Sequence, residues 1–298
     1  MKEYFLWLAK FITVVIVILI AIPMLIGGLI ATTHELSSVA EKGKESGVAI
    51  VEVKGMIQDD EEILRKLHEQ IEDEHVTGIV LDVDSPGGAV GPSQAIYDAV
   101  RRLKEIKPIV VSMGTVAASG GLYVSLGASK VLCQPGTMTG SIGVILQIPN
   151  VSSITDKVGF EMLTVKSGAL KDVGNAFRPV SQADKTFLQS TVEVAHDAFI
   201  QAVAEGRGLE VEKVKTFADG RVILGSQAVE YGLADGYGDL YDAAREVYAL
   251  AGKPLKDDEQ PNIFFKEDKY EELKELFGAI TSLPQMFQRS TKLMYVMQ

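Results

Sequence analysis

Uncharged apolar residues are concentrated near the start of the chain. Residues 11–31 read FITVVIVILIAIPMLIGGLIA, a run of 21 residues without a charge. About 20 such residues span the hydrocarbon core of a bilayer, and this run is apolar on every helical face. It predicts an uncleaved transmembrane helix rather than a signal peptide, because a signal peptide has a shorter apolar region and the following ATTHEL offers no small-residue cleavage site.

The charges that precede this run predict its orientation. Lys2 and Lys10 stand against the single Glu3. Because positively charged flanks stay in the cytoplasm, residues 1–33 are expected to form a cytoplasmic stub and an anchor in the cell membrane. The rest of the chain would then lie on the extracytoplasmic side, and residues 11–31 would contact the lipid bilayer.

Beyond the anchor, residues 34–47 are polar and charged and predict a tether. Short apolar runs then alternate with amphipathic ones, which is typical of an α/β domain with a mostly parallel sheet. This domain is expected over residues 48–252. The predicted strands are 48–53, 77–83, 108–113, 130–133, 143–147 and 161–165, and the predicted helices are 61–71, 93–106, 117–127, 182–205 and 240–250.

The remaining residues, 253–298, differ in character from the domain. They start charged (KPLKDDEQ), predict a helix at 269–277 and end with the apolar-rich SLPQMFQRSTKLMYVMQ. A peripheral helix that packs on the core is one interpretation, and a contact with another subunit or the membrane is the other.

Charge and composition exclude several classes of function. A net charge of -11 without a lysine- or arginine-rich patch argues against a nucleic-acid partner. The single cysteine, Cys133, excludes a disulfide framework and a multi-cysteine metal site. None of the four histidines lies in HExxH, and the chain has no GxxxxGK[ST] loop and no GxGxxG after a strand. Neither a metal nor a cofactor is therefore predicted.

Three segments of unusual composition follow predicted strands. Residues 84–88 read DSPGG, and a double glycine can turn backbone N–H groups outward at a strand end, as an oxyanion site needs. Residues 114–121 read GTVAASGG and place one serine, Ser119, at a helix start, where the helix dipole favours a nucleophile. Taken singly, either segment could be an ordinary turn or a packing device.

The third segment, KSGALKD at residues 166–172, offers a base. His196 lies on a long predicted helix and is a weak partner for a serine, so the nucleophile needs another base. A desolvated lysine can take that role, and Lys166 and Lys171 are the two candidates. A solvated surface lysine is the plain alternative for each of them, and no SxxK motif occurs in the chain.

The order of motifs resembles one known family. DSPGG, SMGTVAASGG, TMTGSIGV, KSGALKD and DGRVILGSQAVEYGLAD follow one another as in the signal peptide peptidase A/SohB serine peptidases, over about residues 48–250. The resemblance implies the ClpP/crotonase-like fold with repeated ββα units. It also implies a ring-like homo-oligomer, in which the base reaches the nucleophile from a neighbouring subunit.

Carried over position by position, the resemblance assigns five site residues. Ser119 matches the nucleophile, and Lys171 matches the general base because residues 168–171 supply the family's G-x-x-K; Lys166 is second choice. Gly88 and Gly120 match the oxyanion-hole donors, and Ser141 matches a hydroxyl that orients the lysine amine. No motif position is missing from the chain.

The function that follows is a membrane-anchored serine endopeptidase with a Ser/Lys dyad. The family implies remnant signal peptides and similar apolar peptides as substrates. A membrane quality-control protease of the same family, acting on misfolded proteins, is the alternative. An acyl-CoA enzyme with the same fold and a non-enzymatic membrane scaffold are less favoured, because both leave the serine and the lysine unexplained.

Overall fold

The computed structural model describes residues 46–264 and 294–296. The predicted anchor at 11–31, residues 34–45 of the tether and the predicted helix at 269–277 lie outside this part of the chain. Among the residues that are described, no helix has the length and apolar character needed to cross a membrane.

Strands and helices alternate along most of the domain. The strands are β1 Gly47–Lys54, β2 Val76–Ser85, β3 Gly87–Ala89, β4 Ile109–Ala117, β5 Lys130–Cys133, β6 Met138–Gly140, β7 Val222–Leu224, β8 Gly236–Tyr237, β9 Ile263–Phe264 and β10 Met294–Val296. The helices are α1 Glu61–Glu72, α2 Val90–Leu103, α3 Gly120–Ser125, α4 Ser152–Val158, α5 Gln182–Arg207, α6 Val211–Lys215, α7 Gly225–Tyr231 and α8 Leu240–Leu250.

Eight of the described strands form one mixed but mostly parallel sheet. Its order is β7-β6-β4-β2-β1-β9, with β5 beside the first half of β4 and β8 beside β5. Only the β6–β7 pair is antiparallel. The predicted α/β class with a mostly parallel sheet is therefore confirmed. The two remaining strands, β3 and β10, pair with each other in a small antiparallel ribbon.

The central strand β2 is apolar on both faces because helices cover both sides of the sheet. Leu81 is fully buried in the larger core cluster, with Leu67 of α1 and Ile96 of α2. The next residue back, Val80, is fully buried in a second cluster with Val247 of α8. Alternate side chains of one strand thus fill opposite cores. This layering leaves the carboxyl ends of β2 and β4 free to carry loops.

Three of the predicted elements differ in the structure. The helix predicted at 117–127 shortens to Gly120–Ser125 because β4 continues as far as Ala117. The strands predicted at 143–147 and 161–165 are wrong: neither stretch forms a strand of the described sheet, Ile145 makes only a single-residue bridge, and residues 161–165 are all exposed. An apolar run becomes a strand only where a sheet edge is available to pair with it.

Candidate active site

Ser119 occupies the turn between β4 and α3 in a strained backbone conformation. Its φ of 54° and ψ of −114° lie in a region that residues with a Cβ atom rarely adopt. The side chain is fully buried, and no described residue is within hydrogen-bonding reach of its Oγ. A buried hydroxyl without a partner is uncommon, and strain of this kind gathers at functional sites. Both features fit a nucleophile that awaits a reacting group.

The DSPGG loop is fastened directly to the serine turn. Ser85 pairs with Ala117 at the end of the β2–β4 ladder, and the Ala118 N–H donates to the Ser85 carbonyl at 3.0 Å. The Ser85 hydroxyl donates to the Gly55 carbonyl at 2.6 Å and accepts from the Gly87 N–H at 3.1 Å. The two motifs, at residues 84–88 and 114–121, are therefore neighbours in the fold.

Gly88 and Gly120 lie side by side, and neither has room for a side chain. A Cβ atom on Gly120 would be 3.0 Å from the Gly88 nitrogen, and one on Gly88 would be 1.9 Å from the Ile57 carbonyl oxygen. Gly120 is the first residue of α3, so its N–H has no acceptor within the helix. The backbones of Gly88 and Gly120 are therefore adjacent, and Gly120 directly follows Ser119, as two donors of an oxyanion hole would be placed.

The segment that contains Ser141 is hydrogen-bonded to the turn that carries Ser119. The Ser119 N–H donates to the Gly140 carbonyl at 2.8 Å, and the Thr139 hydroxyl donates to the Ala117 carbonyl at 2.6 Å. Ser141 itself is buried and has a positive φ of 51°. The fold thus gathers four of the five sequence-predicted site residues, namely Ser119, Gly88, Gly120 and Ser141. Their catalytic roles stay predictions.

Lys171 is not joined to the serine within one chain. It lies in a turn of the segment 159–181, which links α4 to α5 without helix or strand, and its side chain is exposed. Because Ser119 Oγ has no hydrogen-bond partner among the described residues, it contacts neither lysine. Within one described chain, Lys171 and Ser119 do not form the predicted dyad.

Neither Lys166 nor His196, the other two candidate bases, is hydrogen-bonded to Ser119. Lys166 Nζ lies 2.6 Å from a carboxylate oxygen of Asp172 and donates to the Ala169 carbonyl at 3.1 Å. Lys166 is therefore held by partners within its own segment. His196 Nε2 is buried without a described partner, so it does not bond the serine. The choice of Lys171 as the base stays a prediction.

An ion-pair network that the sequence motifs do not reveal borders Lys171. Arg178 binds Asp172 and Asp184 together and holds the pKa of Asp172 at about 2, with the Lys166 ammonium adding to the effect. The same guanidinium, with the backbone N–H of Ser181, depresses the pKa of Asp184. The S-x-x-D spacing of Ser181 and Asp184 before an apolar helix was the available signal, since it is a capping box.

Exposed apolar side chains lie within the segment 159–181 and on the two helices that flank it. Leu163 is 90% exposed, Val165 89%, Val158 73% and Val194 71%. Phe160 and Phe177 contact each other with ring centroids 5.6 Å apart while each remains about half exposed.

The strand β3, which includes the two glycines of the DSPGG loop, pairs with a strand from the end of the chain. Residues Met294–Val296 pair antiparallel with Gly87–Ala89, with Tyr295 opposite Gly88. Edge strands offer unpaired backbone groups to extended chains. The structure therefore shows that the glycine loop can accept an extended segment. In the described residues, no group of histidine, cysteine, aspartate or glutamate side chains is arranged to hold a metal ion.

Comparisons with known proteins agree with these geometric observations. A family model described as Peptidase family S49 matches residues 101–253, and one described as Clp protease matches residues 47–139. A Synechocystis sp. protein whose name is that of a protease is 38% identical over 206 residues, which is 69% of this chain and 74% of that protein.

Two further relatives are longer than the matched region. A protein of Enterococcus faecium with the name of a signal peptide peptidase SppA is 40% identical, over 60% of this chain and 53% of its own length. Protease 4 of Haemophilus influenzae is 34% identical, over 69% of this chain and 35% of its own length. The match thus spans about half of the first of these two relatives and about a third of the second.

Proposed function

The chain belongs to peptidase family S49, and we propose that it is a serine endopeptidase with Ser119 as nucleophile and Lys171 as general base. One observation carries the proposal. Ser119 is strained, fully buried and unpartnered at Oγ, next to two glycine positions from which side chains are excluded. This arrangement suits an acyl-transfer site.

The proposed reaction is two-step acyl transfer. The neutral Lys171 amine accepts the proton of the Ser119 hydroxyl while Oγ bonds to the peptide carbonyl carbon. The N–H groups of Gly88 and Gly120 donate to the oxyanion that forms. The intermediate then collapses, the C–N bond breaks, and the Lys171 ammonium gives its proton to the leaving amine. Water hydrolyses the resulting ester by the reverse sequence and restores the free serine.

Lys171 is proposed to come from a second copy of the chain, in a ring-like homo-oligomer. Within one chain the Ser119 Oγ has no described partner, and Lys171 is exposed on a long segment without regular structure. Long segments of that kind are usually functional. The apolar side chains around it, such as Leu163 and Val165, would be buried by such an assembly.

The substrate is proposed to be an extended peptide that lies along β3. The pairing of residues 294–296 with Gly87–Ala89 supports this mode, because it shows an antiparallel strand beside Gly88. Added strands gain affinity from main-chain hydrogen bonds rather than from side chains. An extended peptide bound in this way would pass the serine with its backbone in register with the oxyanion hole.

Remnant signal peptides are the proposed physiological substrates. The uncharged run at residues 11–31 would anchor the domain in the cell membrane, with the catalytic domain outside the cytoplasm. Apolar peptides released by preprotein processing are held in that membrane. The name of the Enterococcus faecium relative agrees with this substrate class.

The test uses the full chain in detergent micelles with a synthetic signal peptide. We expect Ser119→Ala and Lys171→Ala to lower kcat/KM at least about 10³-fold, and Lys166→Ala to retain most activity. Turnover that survives Ser119→Ala would overturn the mechanism. An unfolded soluble protein, offered as an alternative substrate, would support the quality-control function if it is cleaved faster than the peptide.

Co-expression of differently tagged chains tests the shared dyad. Mixed assemblies of Ser119→Ala with Lys171→Ala contain sites that pair an intact serine from one chain with an intact lysine from the other. We expect such assemblies to regain activity that neither variant has alone. Failure to regain it would place the dyad within one chain.

A further inference from the structure

One arginine ties the middle of the segment that presents Lys171 to the helix that follows the segment. Arg178 Nε donates to one carboxylate oxygen of Asp172 at 2.9 Å, and its Nη2 donates to the other at 3.0 Å. Nη2 also donates to the Asp172 backbone carbonyl at 3.2 Å. A planar guanidinium that binds both oxygens of a carboxylate fixes its orientation as well as its position. The residue that follows Lys171 is thus held at three points.

The same guanidinium anchors the segment to the long helix α5. Arg178 bonds both carboxylate oxygens of Asp184, which sits at the third position of that helix. Asp184 in turn accepts from the Ser181 N–H at 2.9 Å, and the Ser181 hydroxyl accepts from the Asp184 N–H at 3.1 Å. The capping box is therefore part of the same network, and the helix start serves as its fixed end.

The network is charge-balanced, and its carboxylates are shielded from solvent. The side chains of Asp172 and Asp184 are only 9% and 5% exposed, and that of Arg178 is 27% exposed. Two cations, Arg178 and Lys166, neutralise the two carboxylates. Arg178 binds both carboxylates, so its removal deprives each of them of its guanidinium partner, whereas Lys166 contacts Asp172 alone.

We propose that Arg178 is a positioning residue for catalysis, which holds Lys171 in place through Asp172 and the start of α5. The inference rests on the proposed function, since it takes Lys171 as the base. Lys171 belongs to a segment without helix or strand, so its placement depends on side-chain contacts. A catalytic base must be held within a few tenths of an ångström, and misplacement by about 1 Å costs on the order of 10²-fold in rate.

The first test compares kcat and KM in full-length variants. We expect Arg178→Ala to lower kcat about 10- to 100-fold with KM nearly unchanged. Arg178→Lys should retain more of kcat than Arg178→Ala. A lysine ammonium can bond one carboxylate but cannot make the two parallel hydrogen bonds of a guanidinium. Arg207→Ala is the matched control: Arg207 makes a similar two-point pair with Asp235 elsewhere in the domain. The control should lose stability without the selective fall in kcat.

The second test locates the effect in mixed assemblies of Ser119→Ala and Lys171→Ala chains. Arg178→Ala is added either to the Ser119→Ala chain, which supplies the lysine, or to the Lys171→Ala chain, which supplies the serine. We expect loss of activity only in the first case. Equal loss in both cases would show a merely structural role and overturn the inference.

The outcomes separate the inference from the proposed function. Activity that does not depend on Ser119 and Lys171 defeats the proposed function itself. A normal dependence on both, with full kcat in Arg178→Ala, defeats only the positioning role. If the mixed assemblies stay inactive, the positioning role is judged from kcat alone. A fall in kcat for Arg178→Ala but not for Arg207→Ala supports it, and an equal effect in both variants overturns it.

Discussion

The backbone of Gly120 lies against that of Gly88, so that a Cβ atom on Gly120 would sit 3.0 Å from the Gly88 nitrogen. The same atom would lie 2.7 Å from the hydroxyl oxygen of Ser93, which is itself bonded to the Ala89 carbonyl. The two N–H groups proposed to bind the oxyanion are therefore kept together by the absence of side chains. Any added atom must push one of them away.

Gly120→Ala is expected to abolish most turnover without unfolding the domain. Displacing one oxyanion donor costs about 10²- to 10³-fold in kcat, which peptide-cleavage kinetics would measure. Gly91→Ala is the matched control, because a Cβ atom there meets nothing within 4 Å and Gly91 lies inside α2. That control should keep full activity and gain slightly in thermal stability. A fully active Gly120→Ala would refute the oxyanion assignment.

Ser119→Gly is expected to be more stable than Ser119→Ala by about 1 kcal/mol, although both should be inactive. The reason is the positive φ of 54° at this position, which glycine adopts freely and alanine does not. Thermal or denaturant unfolding of the two variants in the same detergent would measure the difference. Equal stabilities would mean that the backbone relaxes once the hydroxyl is gone.

The Arg178–Asp172 contact is expected to weaken in acid. The guanidinium, with Lys166, holds the folded-state pKa of Asp172 at about 2, whereas an unfolded aspartate titrates near about 3.9. A depressed carboxyl pKa stabilises the folded state above about pH 4, and this contribution is lost as the pH falls towards 2. The rate of pepsin cleavage within residues 159–181, divided by the rate for an unstructured peptide at the same pH, should rise as the pH falls from about 4 towards 2. In Asp172→Asn the same cleavage should already be raised at pH 5.

Removal of residues 290–298 is expected to lower KM for a peptide substrate several-fold. The strand Met294–Val296 pairs with Gly87–Ala89, the edge where an extended peptide is proposed to lie, so the two would compete for the same backbone groups. Tyr295→Pro should have a similar effect, since proline cannot donate to the ladder. An unchanged KM in both variants would show that the tail strand and the substrate use different edges.

Local patterns in the sequence determined the longest strands and helices of the domain. Strand β5 and helix α8 have the bounds that their apolar runs predict, 130–133 and 240–250. Alternating and helical periodicities arise from neighbouring residues, so they can be read without knowing the rest of the fold. The motif order likewise singled out Ser119, Gly88, Gly120 and Ser141, and the structure brings those four together.

Only the tertiary structure decided what depends on distant pairing. The apolar run at 161–165 found no sheet edge and stays exposed, whereas residues 294–296 pair with β3 across some two hundred residues of chain. Arg178 joins Asp172 and Asp184, each six residues away, in one network, and of its members only the capping box at Ser181 and Asp184 was marked in the sequence. Strand pairing and charge clustering depend on which groups the folded chain makes neighbours, and composition along the chain does not carry that information.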